Sequence, residues 1–122
     1  MKRILIVEDN PTNALLFHDV LTEQGYLVDV AEDGERAFEL LETHAYDLIL
    51  LDIHLPGMDG LSIARTLRSL PAYERLKIIG VSALVTEREI QAAYHAGFDD
   101  YVTKPISLKP FVETVRRHLD DA

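Results

Sequence analysis

Short hydrophobic runs alternate along this chain with longer stretches whose apolar positions return at helical spacing. Ile4-Leu5-Ile6-Val7 is continuous and β-branched, and predicts a buried strand through about residues 3–7. Asn10-Pro11 follows in the form of an N-cap with proline at the first helical position. Leu16, Phe17, Val20 and Leu21 then predict the inner stripe of a helix that Gly25 stops. Leu27 to Ala31 reads as a second strand, and Asp33-Gly34 opens a helix with Ala37, Phe38 and Leu41 inward. Residues 47–52 form a third strand that ends abruptly on Asp52, before a loop that Pro56, Gly57 and Gly60 keep out of the strand.

Gly60 starts a third helix through Leu61, Ala64 and Leu67, followed by a polar connection with Pro71. Lys77 to Ser82 is strand four, apolar until a hydroxyl closes it. Thr86-Glu87-Arg88-Glu89 has the spacing of a capping box and opens a fourth helix that runs to Gly97. Asp99 to Thr103 predicts a short fifth strand, which Lys104-Pro105 breaks. Ser107 caps a last helix on Leu108, Phe111, Val112, Val115 and Leu119, with Pro110 harmless in its first turn. Five strands alternate with five helices, and the strands are near-continuously apolar, as a parallel sheet covered on both faces requires. The fold class is α/β, a three-layer doubly wound domain.

The 122 residues suit one domain, and 48% hydrophobic with 27% charged residues is ordinary for a globular protein. No cysteine is present, so disulfides, thiolate metal sites and cysteine nucleophiles are excluded. The N-terminal apolar run of four residues is too short for a signal peptide or a membrane span, so a cytoplasmic location is expected. A net charge of −9 argues against nucleic-acid binding, and Arg116-Arg117 reads as the dipole-complementing end of a helix.

In a parallel sheet the carboxyl ends of all strands share one edge, where ligands bind. That edge gathers Glu8 and Asp9 after strand one, Asp52 after strand three, Ser82 after strand four and Lys104 after strand five. Close carboxylates cannot all stay ionised without a cation. An all-oxygen acidic set with room for water suits Mg²⁺, and no histidine or cysteine spacing suggests zinc. Acids, a dication, a hydroxyl and a lysine make a site for a phosphoryl group, with Asp52 the best-placed nucleophile. Asp9 would bind the metal directly, Glu8 through water, and the His54 backbone carbonyl could add a neutral oxygen.

Each residue alone has a plainer reading. Glu8-Asp9 could cap a helix, Ser82 could be a turn hydroxyl and Lys104 ordinary surface. His18, His44, His54, His95 and His118 show no ligand spacing, and four of them read as surface. His54, at the mouth of the site, could influence water access and phosphoryl lifetime. Tyr26, Tyr46 and Tyr73 read as packing residues. The joint appearance of the first set at strand ends is what favours a site.

The segments Ile4-Leu5-Ile6-Val7-Glu8-Asp9-Asn10, Asp47 to Asp52 with Pro56-Gly57-Met58-Asp59-Gly60, Val81-Ser82-Ala83, and Ala96-Gly97-Phe98-Asp99-Asp100-Tyr101-Val102-Thr103-Lys104-Pro105 occur in order. On these the chain resembles, over its whole length, a response-regulator receiver domain of two-component signalling. Asn10 to Asn13 with Leu16 to Asp19, and Thr103 to Ser107, most resemble single-domain cell-cycle regulators of that family.

The resemblance implies a five-stranded sheet of order 2-1-3-4-5, and phosphoryl transfer onto Asp52 from a phosphohistidine of a sensor kinase or histidine phosphotransferase. It assigns the acidic pair to Glu8 and Asp9, the switch hydroxyl to Ser82, the switch aromatic to Tyr101, and the family's lysine to Lys104 before a cis peptide. The output would be a protein target read through the face of helix four, strand five and helix five. On this reading the chain is one receiver domain, residues 1–122, with no output domain attached. It acts as a monomer or weak dimer and catalyses only its own phosphotransfer and slow dephosphorylation. Ser82 in place of threonine, Leu55 in place of methionine and Phe98 in place of a small residue depart from the family pattern, the last clouding partner contacts near that loop.

Three other classes compete. A haloacid-dehalogenase-type phosphatase wants a second aspartate two residues after the first, where this chain has His54, and a cap that is lacking. A flavodoxin-like cofactor module needs a phosphate-cradling loop where Glu8-Asp9 would repel phosphate. A degenerate receiver, binding partners without phosphate, would have lost part of a set that is intact here.

Overall fold

A five-stranded parallel sheet in the order β2-β1-β3-β4-β5 forms the centre of the molecule. Its strands are β1 (Arg3–Val7), β2 (Leu27–Ala31), β3 (Leu48–Asp52), β4 (Lys77–Ser82) and β5 (Asp100–Thr103). The helices between and after them are α1 (Pro11–Glu23), α2 (Gly34–Thr43), α3 (Gly60–Arg68), α4 (Glu87–Ala96) and α5 (Leu108–Asp120), with a 3-10 turn at Pro71–Tyr73. The structure, a computed structural model, describes residues 1–55, 57–83 and 86–120. The turn expected at Pro56 lies outside them.

Continuous apolar strands bury both faces because alternate side chains go to opposite sides. Ile4, Ile6, Leu48, Leu50, Ile79 and Val81 pack with Phe17, Leu21, Phe111, Val115 and Leu119 of α1 and α5. Leu5, Val7, Ile49, Leu51 and Ile78 point the other way, into Ala37, Leu41, Ile63, Leu67, Ala93 and Ala96 of α2, α3 and α4. Each fully buried aliphatic side chain stabilises the fold by about 1.5–3 kcal/mol, so these two layers dominate its cohesion. Phe17 and Phe111 lock α1 to α5 with ring centroids 5.1 Å apart.

Helix starts follow the expected chemistry. Asn10 accepts hydrogen bonds from the amides of Thr12 and Asn13, Asp33 from Arg36, and Thr86 from Glu89. The Asp59 carboxylate caps α3 by accepting from Ser62.

Three expectations are corrected. The inner stripe of α1 is Ala14, Phe17 and Leu21, while Leu16 is 40% exposed, because two of three adjacent apolar positions must leave a 3.6-residue face. The outer strands β2 and β5 are only partly covered, since each pairs on one side alone. Strands three and five begin one residue later than expected, at Leu48 and Asp100. Among the described residues no helix is long and apolar enough to cross a membrane.

Candidate functional site

Three polar side chains are buried at the carboxyl edge of the sheet: Glu8 (3% exposed), Asp52 (4%) and Ser82 (5%). Burial of such groups demands partners, and the backbone supplies several. As β1 ends, the Glu8 amide donates to the Ala31 carbonyl at 3.0 Å, and the Asn10 amide donates to the Glu8 carboxylate at 3.4 Å. Asp9 is exposed beside it.

Asp52 closes β3 opposite Val81, and the chain turns at once, the Ile53 amide donating to the Val81 carbonyl. The His54 amide donates to Asp52 Oδ1 at 2.9 Å. Helix α3 starts hard against this turn: the Gly60 amide donates to the Ile53 carbonyl, and a Cβ at Gly60 would collide with the Asp52 backbone oxygen. Only glycine lets helix and strand end approach so closely.

Lys104 enters from beyond β5, its amide donating to the Ser82 carbonyl at 2.8 Å, and the Lys104–Pro105 peptide is cis as expected. Its Nζ donates to Asp52 Oδ2 at 3.1 Å and lies 3.3 Å from Glu8 Oε1. Burial opposes the charge of this lysine, but Asp52 and Glu8 outweigh it and hold the ammonium above its ordinary value. Burial likewise opposes ionisation of Asp52; hydrogen bonds from Glu8, the His54 amide and Lys104 outweigh it and keep the carboxyl below the usual range. Glu8 moves the other way, pushed up to about 7 by burial and then by Asp52. Without another cation, one proton shared toward Glu8 relieves the crowding.

That shortage of positive charge is the test of a metal site. Carboxylate oxygens of Glu8, Asp9 and Asp52 all lie within 4.8 Å of one another. Glu8 Oε1 is buried and accepts no hydrogen bond among the described residues. A hard, all-oxygen donor set with room for water fits a small dication.

Tyr101 stands apart from this cluster, in β5 opposite Gly80, its ring edge-on to Tyr94 of α4 at 6.2 Å. Its neighbour Asp100 faces α5, taking hydrogen bonds from Arg117 at 2.6 Å and His118 at 3.0 Å. The fold therefore brings Glu8, Asp9, Asp52 and Lys104 together, joins Ser82 to them through the backbone of Lys104, and sets Tyr101 on the flank between α4 and β5. The Asp100 pairings were not expected: His118 had no motif around it, and Arg117 read only as a helix end. Tyr46 and Tyr73 do pack as expected, donating their hydroxyls to Asp29 and to the Leu41 carbonyl.

An acidic triad beside a lysine, at the carboxyl edge of a 2-1-3-4-5 sheet, defines a class, and comparison with known proteins agrees. Residues 4–116 match the response regulator receiver domain, and the chain belongs to that family. It is 35% identical over 121 residues to the polar-differentiation response regulator DivK of Brucella anthropi, covering 99% of this chain and 98% of that one. The response regulator TrrA of Thermotoga maritima, solved with Mg²⁺ and BeF, is 37% identical with a TM-score of 0.86 over 98% of this chain and all of that one. A receiver domain from a Pseudomonas aeruginosa sensor histidine kinase, with magnesium coordinated in its active-site cleft, is 33% identical with a TM-score of 0.88, covering 98% of each.

Proposed function

We propose that this receiver domain is a cytoplasmic phosphoacceptor. Asp52 takes a phosphoryl group from a phosphohistidine on a sensor kinase or histidine phosphotransferase. The observation that carries this reading is Asp52 itself, buried at a strand end and ionised between Lys104, the His54 amide and two further carboxylates. Glu8, Asp9, Asp52 and the His54 carbonyl would hold Mg²⁺, which supplies charge neutralisation for the transferred group. Lys104 pairs with one phosphoryl oxygen and the Ser82 hydroxyl hydrogen-bonds another. The chain's chemistry is limited to its own phosphorylation and slow dephosphorylation, and its output is a change of protein partner.

Phosphorylation gives Asp52 close to two negative charges and three strong acceptors. As Ser82 moves toward them, Tyr101 turns inward and leaves its edge contact with Tyr94. That movement reshapes the α4-β5-α5 face, where a surface cavity of about 550 Å³ is lined by Tyr94, Tyr101, Ile106, Pro110 and Phe111 among others. Switching from about 1:99 to 99:1 needs about 5.5 kcal/mol. Two or three charge-assisted hydrogen bonds of about 1.5–3 kcal/mol each cover that.

Titration with beryllofluoride and Mg²⁺, followed by amide chemical shifts, tests the switch. Shifts spreading from Asp52 to Ser82 and Tyr101 support it. Silence at both supports a receiver that binds partners without phosphate.

A further inference from the structure

Arg68, the last residue of α3, is fastened to two other stretches of the chain, Tyr73–Leu76 and Gly97–Asp99. Its Nε donates to the Gly97 carbonyl at 2.9 Å, one terminal nitrogen to the carbonyls of Tyr73 at 3.1 Å and Leu76 at 2.8 Å, and the other to Asp99 Oδ2 at 2.8 Å. Asp99 is held in turn, its carboxylate accepting from the Ile78 amide at 2.8 Å and its own amide donating to the Ile78 carbonyl at 2.7 Å. Gly97, left-handed at φ +109°, ends α4 directly against the Arg68 side chain, where a Cβ would collide with Cγ. One planar fork thus ties the ends of α3 and α4 to the 3-10 turn and the start of β4. A lysine, with a single point charge, cannot reproduce it.

Among the described residues this grip holds the C-terminal end of α4. Ala93 and Ala96, in the C-terminal half, are the buried residues of the helix, and their small side chains bring it close to the core. In the N-terminal half Glu87, Arg88 and Gln91 are exposed, and Glu89 Oε2 is buried without a hydrogen bond among the described residues. Of the capping box, the described residues show Thr86 accepting from the Glu89 amide. Four residues of sequence separate Glu87, the first residue of this helix, from Ser82, the last of β4.

We propose that Arg68 is a positioning residue that pins the C-terminal end of α4, so that occupancy of Asp52 swings the N-terminal half of the helix about a fixed pivot at Gly97–Asp99. The inference rests on the phosphoacceptor reading above. Packed elements have discrete arrangements rather than continuous deformations, and a pivot converts a small shift near Ser82 into a tilt of the N-terminal half of α4, which carries the exposed Glu87, Arg88 and Gln91. A partner would then read an angle of α4, not its loss.

The test is amide chemical-shift mapping of the full chain with saturating beryllofluoride and Mg²⁺, in wild type, Arg68→Lys and Asp99→Asn. Wild type should show shifts at Glu89–Ala92 several-fold larger than at His95–Asp99, Tyr94 being set aside because Tyr101 leaves its ring on switching. Both variants should take up beryllofluoride as wild type does, yet lose that asymmetry, the perturbation spreading through Phe98. Asp99→Asn keeps an acceptor for the Ile78 amide, and so answers the question if Arg68→Lys folds poorly. Uniform perturbation along wild-type α4, or asymmetry unchanged in the folded variants, overturns the pivot while leaving the phosphoacceptor reading intact. Failure of wild type to take up beryllofluoride overturns both.

Discussion

Lys104 and Asp52, separated by 52 residues of sequence, meet at 3.1 Å across the carboxyl edge of the sheet. The same lysine fixes its position through its backbone, donating to the Ser82 carbonyl. One residue therefore touches Asp52 with its side chain and the end of β4 with its main chain, and on the proposed function it would transmit a change from the first to the second.

Lys104→Ala should still accept a phosphoryl group, because nucleophile and acidic set remain, but should respond poorly. Amide shifts at Ser82 and Tyr101 on beryllofluoride binding should shrink to a fraction of wild type. The metal-free variant should also be less stable by about 1–3 kcal/mol, the range for leaving a buried charge-assisted acceptor unpaired, measured by urea denaturation. A phosphorylated variant that switches fully would remove the lysine from signal transmission.

The Asp100 side chain predicts a pH dependence. Burial alone would raise its carboxyl, but hydrogen bonds from His118, the Tyr101 amide and Arg117 outweigh burial and hold it below the ordinary range. A folded pKa below the unfolded one means that the stabilisation is complete above the unfolded value, about 3.9. It fades as the pH falls through the lower folded value. Asp100→Asn should therefore be less stable than wild type at pH 7, by about 1 kcal/mol, and the gap should close below about pH 4. Thermal melts across pH 2.5–7 check this, and a gap that persists at the acid end would assign the loss to packing.

Gly80 and Phe98 form a size pair across β4. A Cβ on Gly80 would lie 3.0 Å from two carbons of the Phe98 ring and 3.1 Å from Ile53 Cδ1. Gly80→Ala should destabilise the fold by about 1–3 kcal/mol as an overpacked core substitution, and Phe98→Leu in the same chain should recover part of the loss. Additive destabilisation in the double-mutant cycle would show that the two do not bear on each other.

Much of this was legible in the sequence, for physical reasons. Apolar runs such as Ile4–Val7 and Leu48–Leu51 are both strand-forming and buried, so periodicity and packing gave the same answer. Acids, serine and lysine at strand ends converge in any parallel sheet, so Glu8, Asp9, Asp52, Ser82 and Lys104 could be gathered without coordinates. What escaped depends on direction in space. Leu15 and Leu16 adjoin Phe17 in sequence but point outward, and strand coverage at β2 and β5 depends on which strands lie at the edges. Phe98 was visible as a departure from the family pattern, but its seat on Gly80 was not. Arg68 gave no signal at all, because an arginine at a helix end is ordinary until its fork is seen to close on Gly97 and Asp99.

The central claim is that Asp52 accepts the phosphoryl group, and labelling tests it most directly. Wild type and Asp52→Asn are incubated with acetyl phosphate and Mg²⁺, and the mass of the intact chain is measured. Wild type should gain one phosphoryl group, whereas Asp52→Asn, folded by circular dichroism, should gain none. Stoichiometric labelling of folded Asp52→Asn would contradict the account.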